Sequence, residues 1–187
     1  MSVIYQRVAL IGLGLIAGSM AHAMRRAGLA GEIVGTARSA ETREVAREIG
    51  LCDRIVDSAA EAVVCADLVV LCVPVGAMAA VAQEIAPHLE PGATVTDVGS
   101  VKREVIEAVG PHLPEGVHFV PGHPLAVTEH SGPRSGFAEL FDYRYTLLTP
   151  PEGTDPAATE RLKTLWEGCG AIVEEVYAWH YRLVLAV

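Results

Sequence analysis

The sequence is short of aromatic residues, at 5%, and short of basic ones, with 14 Lys and Arg against 23 Asp and Glu in 187 residues. The formal net charge of −9 argues against a nucleic-acid binder, which needs a basic footprint, and disfavours docking on an anionic membrane surface. An anionic small molecule would need a local cluster of Arg, Lys or backbone N–H groups working against the global field. Cysteine is sparse as well. Cys52, Cys65, Cys72 and Cys169 include no C-x-x-C pair, and three of them lie inside apolar stretches. That pattern reads as reduced, buried thiols of a cytoplasmic protein rather than a disulfide framework. Long hydrophobic runs are missing too. Residues 8–24 are uncharged, and Ala21-His22-Ala23 mimics a signal-peptidase site, but Gly12, Gly14 and Gly18 interrupt the run. Residues 68–82 are broken by Pro74 and Gly76 and are short for a membrane span. Both stretches are expected to be interior strands running into helices of a soluble protein. The histidines at positions 22, 88, 112, 118, 130 and 180 show no H-E-x-x-H or paired metal spacing, so no metal is expected.

What is present is a 51% hydrophobic chain rich in Ala, Val, Leu and Gly, which suits buried parallel strands against small-residue helices. Strand and helix patterns alternate. Strands are predicted over 7–13, 32–36, 53–56, 68–73, 94–98 and 118–121. Helices are predicted over 16–27, 40–49, 76–89 and 101–109, two of them closed by Gly28 and Gly50. This βαβ repetition implies an α/β fold with a mostly parallel, doubly wound sheet and right-handed crossovers. A loop-rich stretch follows over 125–141. Then come a strand over 145–149, a helix over 156–169 capped by Asp155, and a strand over 171–176. The last residues, 177–187, begin something helical, with Leu183, Val184, Leu185 and Val187 forming an apolar run. That run is expected to pack on further chain or on a partner.

Gly12-Leu13-Gly14-Leu15-Ile16-Ala17 fits G-x-G-x-x-G/A. Here the first Gly allows the tight turn, the second lets a pyrophosphate reach the backbone, and the small third residue lets helix pack on strand. The match follows a strand, opens a helix and lies in a βαβ unit, which is the context that gives the motif meaning. It marks a Rossmann-type dinucleotide site using Gly12, Gly14, Leu15 and Ile16, with phosphates at the helix N-terminus. The ribose is read at the end of the second strand, in Gly35-Thr36-Ala37-Arg38-Ser39. No carboxylate stands there. Thr36, Arg38 and Ser39 are the candidate contacts, and Arg38 with Ser39 suits a 2′-phosphate. NADP is therefore expected over NAD, with a solvated loop charge as the other reading of Arg38.

Ligands of open α/β sheets sit beyond the carboxyl ends of the strands. The fourth strand ends in Cys72-Val73-Pro74, whose Val73 and Pro74 are expected to shape a nicotinamide pocket. The fifth ends in Asp97-Val98-Gly99-Ser100-Val101-Lys102. Ser100 is read both as a hydrogen-bonding residue for substrate or cofactor and as a helix N-cap, and Lys102 as an exposed helix residue. The sixth ends in Pro121-Gly122-His123-Pro124. A histidine there, near its ordinary pKa, can accept a proton from a substrate hydroxyl as hydride leaves. The alternative is a structural turn histidine.

These segments, together with Thr128-Glu129-His130-Ser131-Gly132 and Leu148-Thr149-Pro150-Pro151, resemble the prephenate dehydrogenase family. The likeness is strongest to the cyclohexadienyl (prephenate/arogenate) dehydrogenases of bacterial tyrosine synthesis, and it runs over essentially the whole chain. It implies a 6-phosphogluconate-dehydrogenase-like N-terminal domain and an NAD(P)-dependent oxidative decarboxylation of prephenate or arogenate. On that resemblance His123 takes the hydroxyl proton, Ser100 supports the ring hydroxyl and orients the histidine, and Thr128, Glu129 and Ser131 lie in the loop beside the substrate. Three positions depart from the family pattern. Ala17 replaces a Gly, which the fingerprint tolerates. Val127 replaces a Gly where a positive φ would be strained. His180-Tyr181 stands where the family has His-Asp. The resemblance also implies that residues 1–176 form the dinucleotide-binding domain and 177–187 begin a linker helix to a helical, homodimerising domain. Two other functions compete: a dinucleotide-binding module that turns nothing over, and a different β-hydroxyacid-type dehydrogenase. The Gly-His-Pro motif in place of a helical catalytic Lys argues against the latter.

Overall fold

The computed structural model describes residues 2–126 and 128–176. The expectations for Val127, for His180-Tyr181 and for the linker helix over 177–187 lie outside the described residues.

Six parallel strands form the main sheet: β1 (Tyr5–Ile11), β2 (Ala30–Thr36), β3 (Arg54–Ile55), β4 (Leu68–Leu71), β5 (Thr94–Asp97) and β6 (His118–Phe119), in the order β3-β2-β1-β4-β5-β6. The helices between them are α1 (Leu15–Ala27), α2 (Ala40–Glu48), α3 (Ala59–Ala62), α4 (Val75–Ile85) and α5 (Lys102–Val109). This is the doubly wound Rossmann-type arrangement. β4 is buried at every position, as a strand covered on both faces must be. The order of strands reverses between β1 and β4, and that switch point opens the crevice in which such sheets bind ligands.

The local signals are simple. α1 ends where Gly28 adopts φ +65° and its N–H bonds back to the helix, a left-handed cap that glycine allows without strain. α2 starts on Ser39, whose side chain accepts from the Thr42 N–H. The short α3 escapes the sequence reading. It starts on Ser58, which caps the Glu61 N–H at 3.1 Å, and four residues are too few for a helical period to show.

One expectation is overturned in a way that matters for the site. The strand predicted over 118–121 stops at Phe119, and the chain crosses into a second, three-stranded sheet, β7-β8-β9. β7 (Gly122–Pro124) runs antiparallel to β8 (Tyr145–Leu148), with His123 opposite Leu147, and β8 runs parallel to β9 (Ile172–Glu175). His118 and Val120 donate to the β5 segment, but the next donor in register, the Gly122 N–H, goes to the Asp97 side chain at 3.2 Å, and the Pro121 carbonyl accepts from the Thr149 N–H at 2.8 Å, opening the second ladder. His123 therefore sits inside a strand of its own rather than in a terminal turn.

The two faces of the main sheet carry separate apolar clusters. One joins α1 and α6 (Pro156–Gly168) through Met20, Met24, Leu162 and Trp166, and includes Leu148 of the second sheet. The other gathers α3, α4 and α5 around Met78, Ile85 and Val105. Trp166 and Phe141 meet edge to face at 5.1 Å, locking α6 to the chain leading into β8. Among the described residues no helix is long and apolar enough to cross a membrane.

Candidate active site at the sheet switch point

The turn after β1 is built for close approach. Gly12 has φ +96°, and a Cβ there would lie 2.7 Å from the Cys72 carbonyl oxygen beyond β4. The Gly12 N–H donates to the Thr36 carbonyl at 2.8 Å, so the ends of β1, β2 and β4 meet around it. Gly14 is the N-cap of α1, makes no side-chain cap, and has no heavy atom within 4 Å of where a Cβ would stand. This is a cradle that a side chain would fill, and it fits a pyrophosphate at the first turn of the helix, next to Leu15 and Ile16.

At the end of β2 the predicted contacts separate. Thr36 is buried, and its hydroxyl donates inward to the Val56 carbonyl at 2.8 Å, so its proton holds the sheet edge. Ser39 uses its oxygen to cap α2. Arg38 is exposed at the tip. The sequence reading missed Arg43, whose guanidinium donates to the carbonyls of Ala37 at 2.6 Å and Arg38 at 3.1 Å and pairs with Asp57 at 3.2 Å. It moulds the tip on which Arg38 is displayed. Only the charge at position 43 of an otherwise polar helix face hinted at this. Beyond β4, Val73 is half-buried and Pro74 takes the N-cap position of α4 at φ −55°.

The end of β5 holds the largest departure from expectation. Lys102 is 1% exposed and Asp97 0%, and their charged groups form a buried hydrogen-bonded ion pair. Nothing local in the sequence reveals this: followed by Arg103 and Glu104, Lys102 reads as an ordinary solvated helix residue. Asp97 also accepts from the Gly99 N–H at 2.7 Å and the Gly122 N–H at 3.2 Å, while Lys102 donates to the Gly122 carbonyl at 2.5 Å. Burial pushes the Asp97 carboxyl up and the Lys102 ammonium down from their ordinary pKa values, and the pairing opposes both shifts. Ser100 is exposed at the mouth. The N-cap of α5 is Val101, which makes no side-chain cap, so Ser100 stands outside the helix rather than capping it.

His123 is half-buried beside this pair. Burial first, and the nearby Lys102 charge second, bring its pKa from 6.5 down to about 4. That corrects the expectation of a near-neutral value: at physiological pH the ring is firmly neutral, which is the proton-accepting form.

The loop over 128–137 packs on α1 and α2. Thr128 exchanges hydrogen bonds with the backbone of His130, at 3.3 and 3.4 Å, Glu129 is exposed, and the Ser131 carbonyl accepts from the Ser135 hydroxyl at 2.5 Å. The loop rests on α1. A Cβ on Gly136 would stand 2.6 Å from the Gly18 carbonyl carbon, and the Phe137 N–H donates to Ser19 Oγ at 3.1 Å. A separate open groove of about 380 Å³ lies further along α1, lined by His22, Arg25, Arg26 and Phe137 among others. Its arginines are engaged with Asp53, Glu139 and Asp142.

A family model described as the nucleotide-binding domain of prephenate dehydrogenase matches residues 20–175. The chain belongs to the prephenate dehydrogenase family. A cyclohexadienyl dehydrogenase of Zymomonas mobilis is 40% identical over 184 residues, which is 98% of this chain and 62% of the relative. A prephenate dehydrogenase of Bacillus subtilis is 35% identical over 165 residues, 88% of this chain and 44% of the relative. The chain thus spans less than two thirds of the length of these curated relatives. Among solved structures, a prephenate dehydrogenase from Aquifex aeolicus in complex with hydroxyphenyl propionate and NAD+ superposes with a TM-score of 0.88 at 32% identity, over 97% of this chain and 63% of that one. The arogenate dehydrogenase of Synechocystis does so with a TM-score of 0.87 at 30% identity, over 97% of this chain and 63% of that one.

Proposed function

We propose that this chain carries the dinucleotide-binding and proton-accepting half of an NAD(P)-dependent dehydrogenase acting on prephenate or arogenate, with NADP preferred. The observation that carries the reading is the pairing of a cradle with a base. Gly14 leaves open space at the first turn of α1, and His123, held neutral on β7, stands beside the end of β5. The Aquifex relative, 32% identical over nearly all of this chain, was solved with NAD+ and a hydroxyphenyl acid, and the Synechocystis relative is an arogenate dehydrogenase.

A bound nicotinamide supplies the hydride acceptor. His123 accepts the proton of the ring hydroxyl as hydride leaves the same carbon, so no charge builds on the oxygen while the carbonyl forms. When the ring carboxylate leaves as carbon dioxide, the bonding pair flows through the ring to that oxygen, and His123 returns the proton as the ring becomes aromatic. Ser100 hydrogen-bonds the reacting oxygen and steers it toward the histidine. Glu129 and Ser131 border the substrate from the loop on α1. Arg38 reads a 2′-phosphate: the run Gly35-Thr36-Ala37-Arg38-Ser39 carries no carboxylate of its own, and a planar guanidinium suits a phosphate. Following nicotinamide reduction on this chain, with NADP and NAD against prephenate and arogenate, tests the reading. Turnover names cofactor and substrate together. Dinucleotide binding without turnover would leave a binding module, and no binding would sink the proposal.

A further inference from the structure

Lys102 reaches no ligand: it is 1% exposed. Burying two charges is expensive, and apolar residues of similar size often stabilise a core as well or better. The pair is therefore poorly explained as a stabilising device. Its hydrogen bonds lead elsewhere. Asp97 binds the N–H of Gly99, which precedes Ser100, and the N–H of Gly122, which precedes His123. Lys102 binds the carbonyl of the same Gly122. Gly122 itself sits so close to β5 that a Cβ would lie 3.1 Å from the Asp97 carbonyl oxygen. The backbone N–H groups before both side chains thus converge on one carboxylate, although His123 lies in the second sheet and Ser100 in the turn that follows β5 of the first.

Resting on the function proposed above, we infer that Asp97 and Lys102 are positioning residues: a buried clasp that fixes the His123 strand against the Gly99-Ser100 turn. The clasp sets the relative placement of proton acceptor and hydroxyl ligand, and a displacement of about 1 Å in such a pair can lower a rate by about 100-fold. It also explains why β7 can be only three residues long and still hold a base in place. The charged group bearing on His123 is Lys102 from α5, with Asp97 of β5 paired behind it. β8 presents Leu147 directly opposite.

The test is an NMR titration of the chain labelled with 15N-histidine and 15N-glycine, the His123 signal being assigned by its loss in His123→Asn. In the unmodified chain His123 is expected to titrate well below 6.5. In Lys102→Met its midpoint should rise, burial as the larger cause still holding it below 6.5, and the Gly122 amide should lose protection from exchange. Because Lys102→Met strands a buried carboxylate, Asp97→Asn/Lys102→Met is measured beside it; it removes both charges and should show a rise in the same direction. Where turnover is measurable, kcat should fall about 100-fold with dinucleotide KM unchanged. A folded variant with the His123 midpoint and Gly122 protection unmoved overturns the clasp. So does rapid exchange of the Gly122 amide in the unmodified chain, whose N–H the Asp97 carboxylate should hold, which decides the matter even if neither variant folds. The titration needs no substrate, so an inactive chain would refute the dehydrogenase reading without touching this one.

Discussion

Gly12 and Gly14 belong to one motif, yet they should fail in different ways when a methyl group is added. At Gly12 the backbone holds φ +96° and the new Cβ would meet the Cys72 carbonyl oxygen at 2.7 Å. The left-handed backbone costs an alanine about 1–2 kcal/mol, and forcing a carbon against immobile backbone adds about 1–3 kcal/mol. Gly12→Ala is therefore expected to destabilise the fold by roughly 2–5 kcal/mol, and a chain of this size loses about 2–4 °C of Tm per kcal/mol. Gly14 has φ −104°, which any residue adopts, and open space around the Cβ position. Gly14→Ala should cost about 1 kcal/mol or less, the difference between Gly and Ala as an N-cap. Its Cβ occupies the volume a pyrophosphate must enter, so dinucleotide affinity should drop at least about tenfold, or about 1.4 kcal/mol. Urea unfolding and fluorescence titration with NADPH, run on both variants, separate the effects. Unchanged NADPH affinity in Gly14→Ala would refute the placement of the dinucleotide at α1, and unchanged stability in Gly12→Ala would refute the close approach of β1 to β4.

His123→Asn should lower kcat by roughly 100-fold or more while dinucleotide affinity holds, and in the unmodified chain the acid limb of kcat/KM should lie near pH 4 rather than 6.5. The same residue makes stability pH-dependent. Between 6.5 and about 4 the unfolded chain binds a proton at position 123 that the folded chain refuses, so the stability present above 6.5 is lost as pH falls through that window. His123→Asn should flatten the slope of urea-derived stability there, and an unaltered slope would assign the effect elsewhere. Arg38→Ala should weaken NADPH and spare NADH in paired titrations; equal losses would remove the 2′-phosphate reading. Gly136→Ala places a Cβ 2.6 Å from the backbone of Gly18 and should lift the loop over 128–137 off α1, seen as faster proteolysis of that loop with β1 to β5 still protected.

The parts legible in the sequence are those that short-range pattern encodes. The run Val69-Val70-Leu71 can only be a covered strand, and Gly12-x-Gly14 between a strand and a helix announces its ligand by chain geometry alone. Even the ends of helices could be read, from Gly28 and Asp155. Other features were hidden because they depend on contacts between residues far apart in the chain. Pro121 looked like the end of a strand, and nothing local says that it is the point where the chain changes sheets, since that depends on Thr149 arriving to take its carbonyl. Lys102 looked solvated because its carboxylate partner lies five residues back and its other contact, Gly122, lies 20 residues on. The lowered pKa of His123 follows from that same hidden neighbour.

Helix α1 joins the two halves of the candidate site. In the proposed function its first turn meets the dinucleotide, and one turn later Gly18 and Ser19 hold the loop that carries Thr128, Glu129 and Ser131. The contact between Gly18 and Gly136 is backbone on backbone, with no side chain able to change rotamer and absorb a shift. Arg134 adds a 2.6 Å bond from the same loop to Glu48 of α2, the helix that begins at the Arg38-Ser39 tip. The loop over 128–137 is thus anchored to α1 and α2, while the backbone beside His123 and Ser100 is anchored to β5 through Asp97. In the proposed function, a movement that separated these anchorages would change the distance from nicotinamide to base, so the packing of α1 and α2 against the sheet would bear on the chemistry along with the side chains themselves.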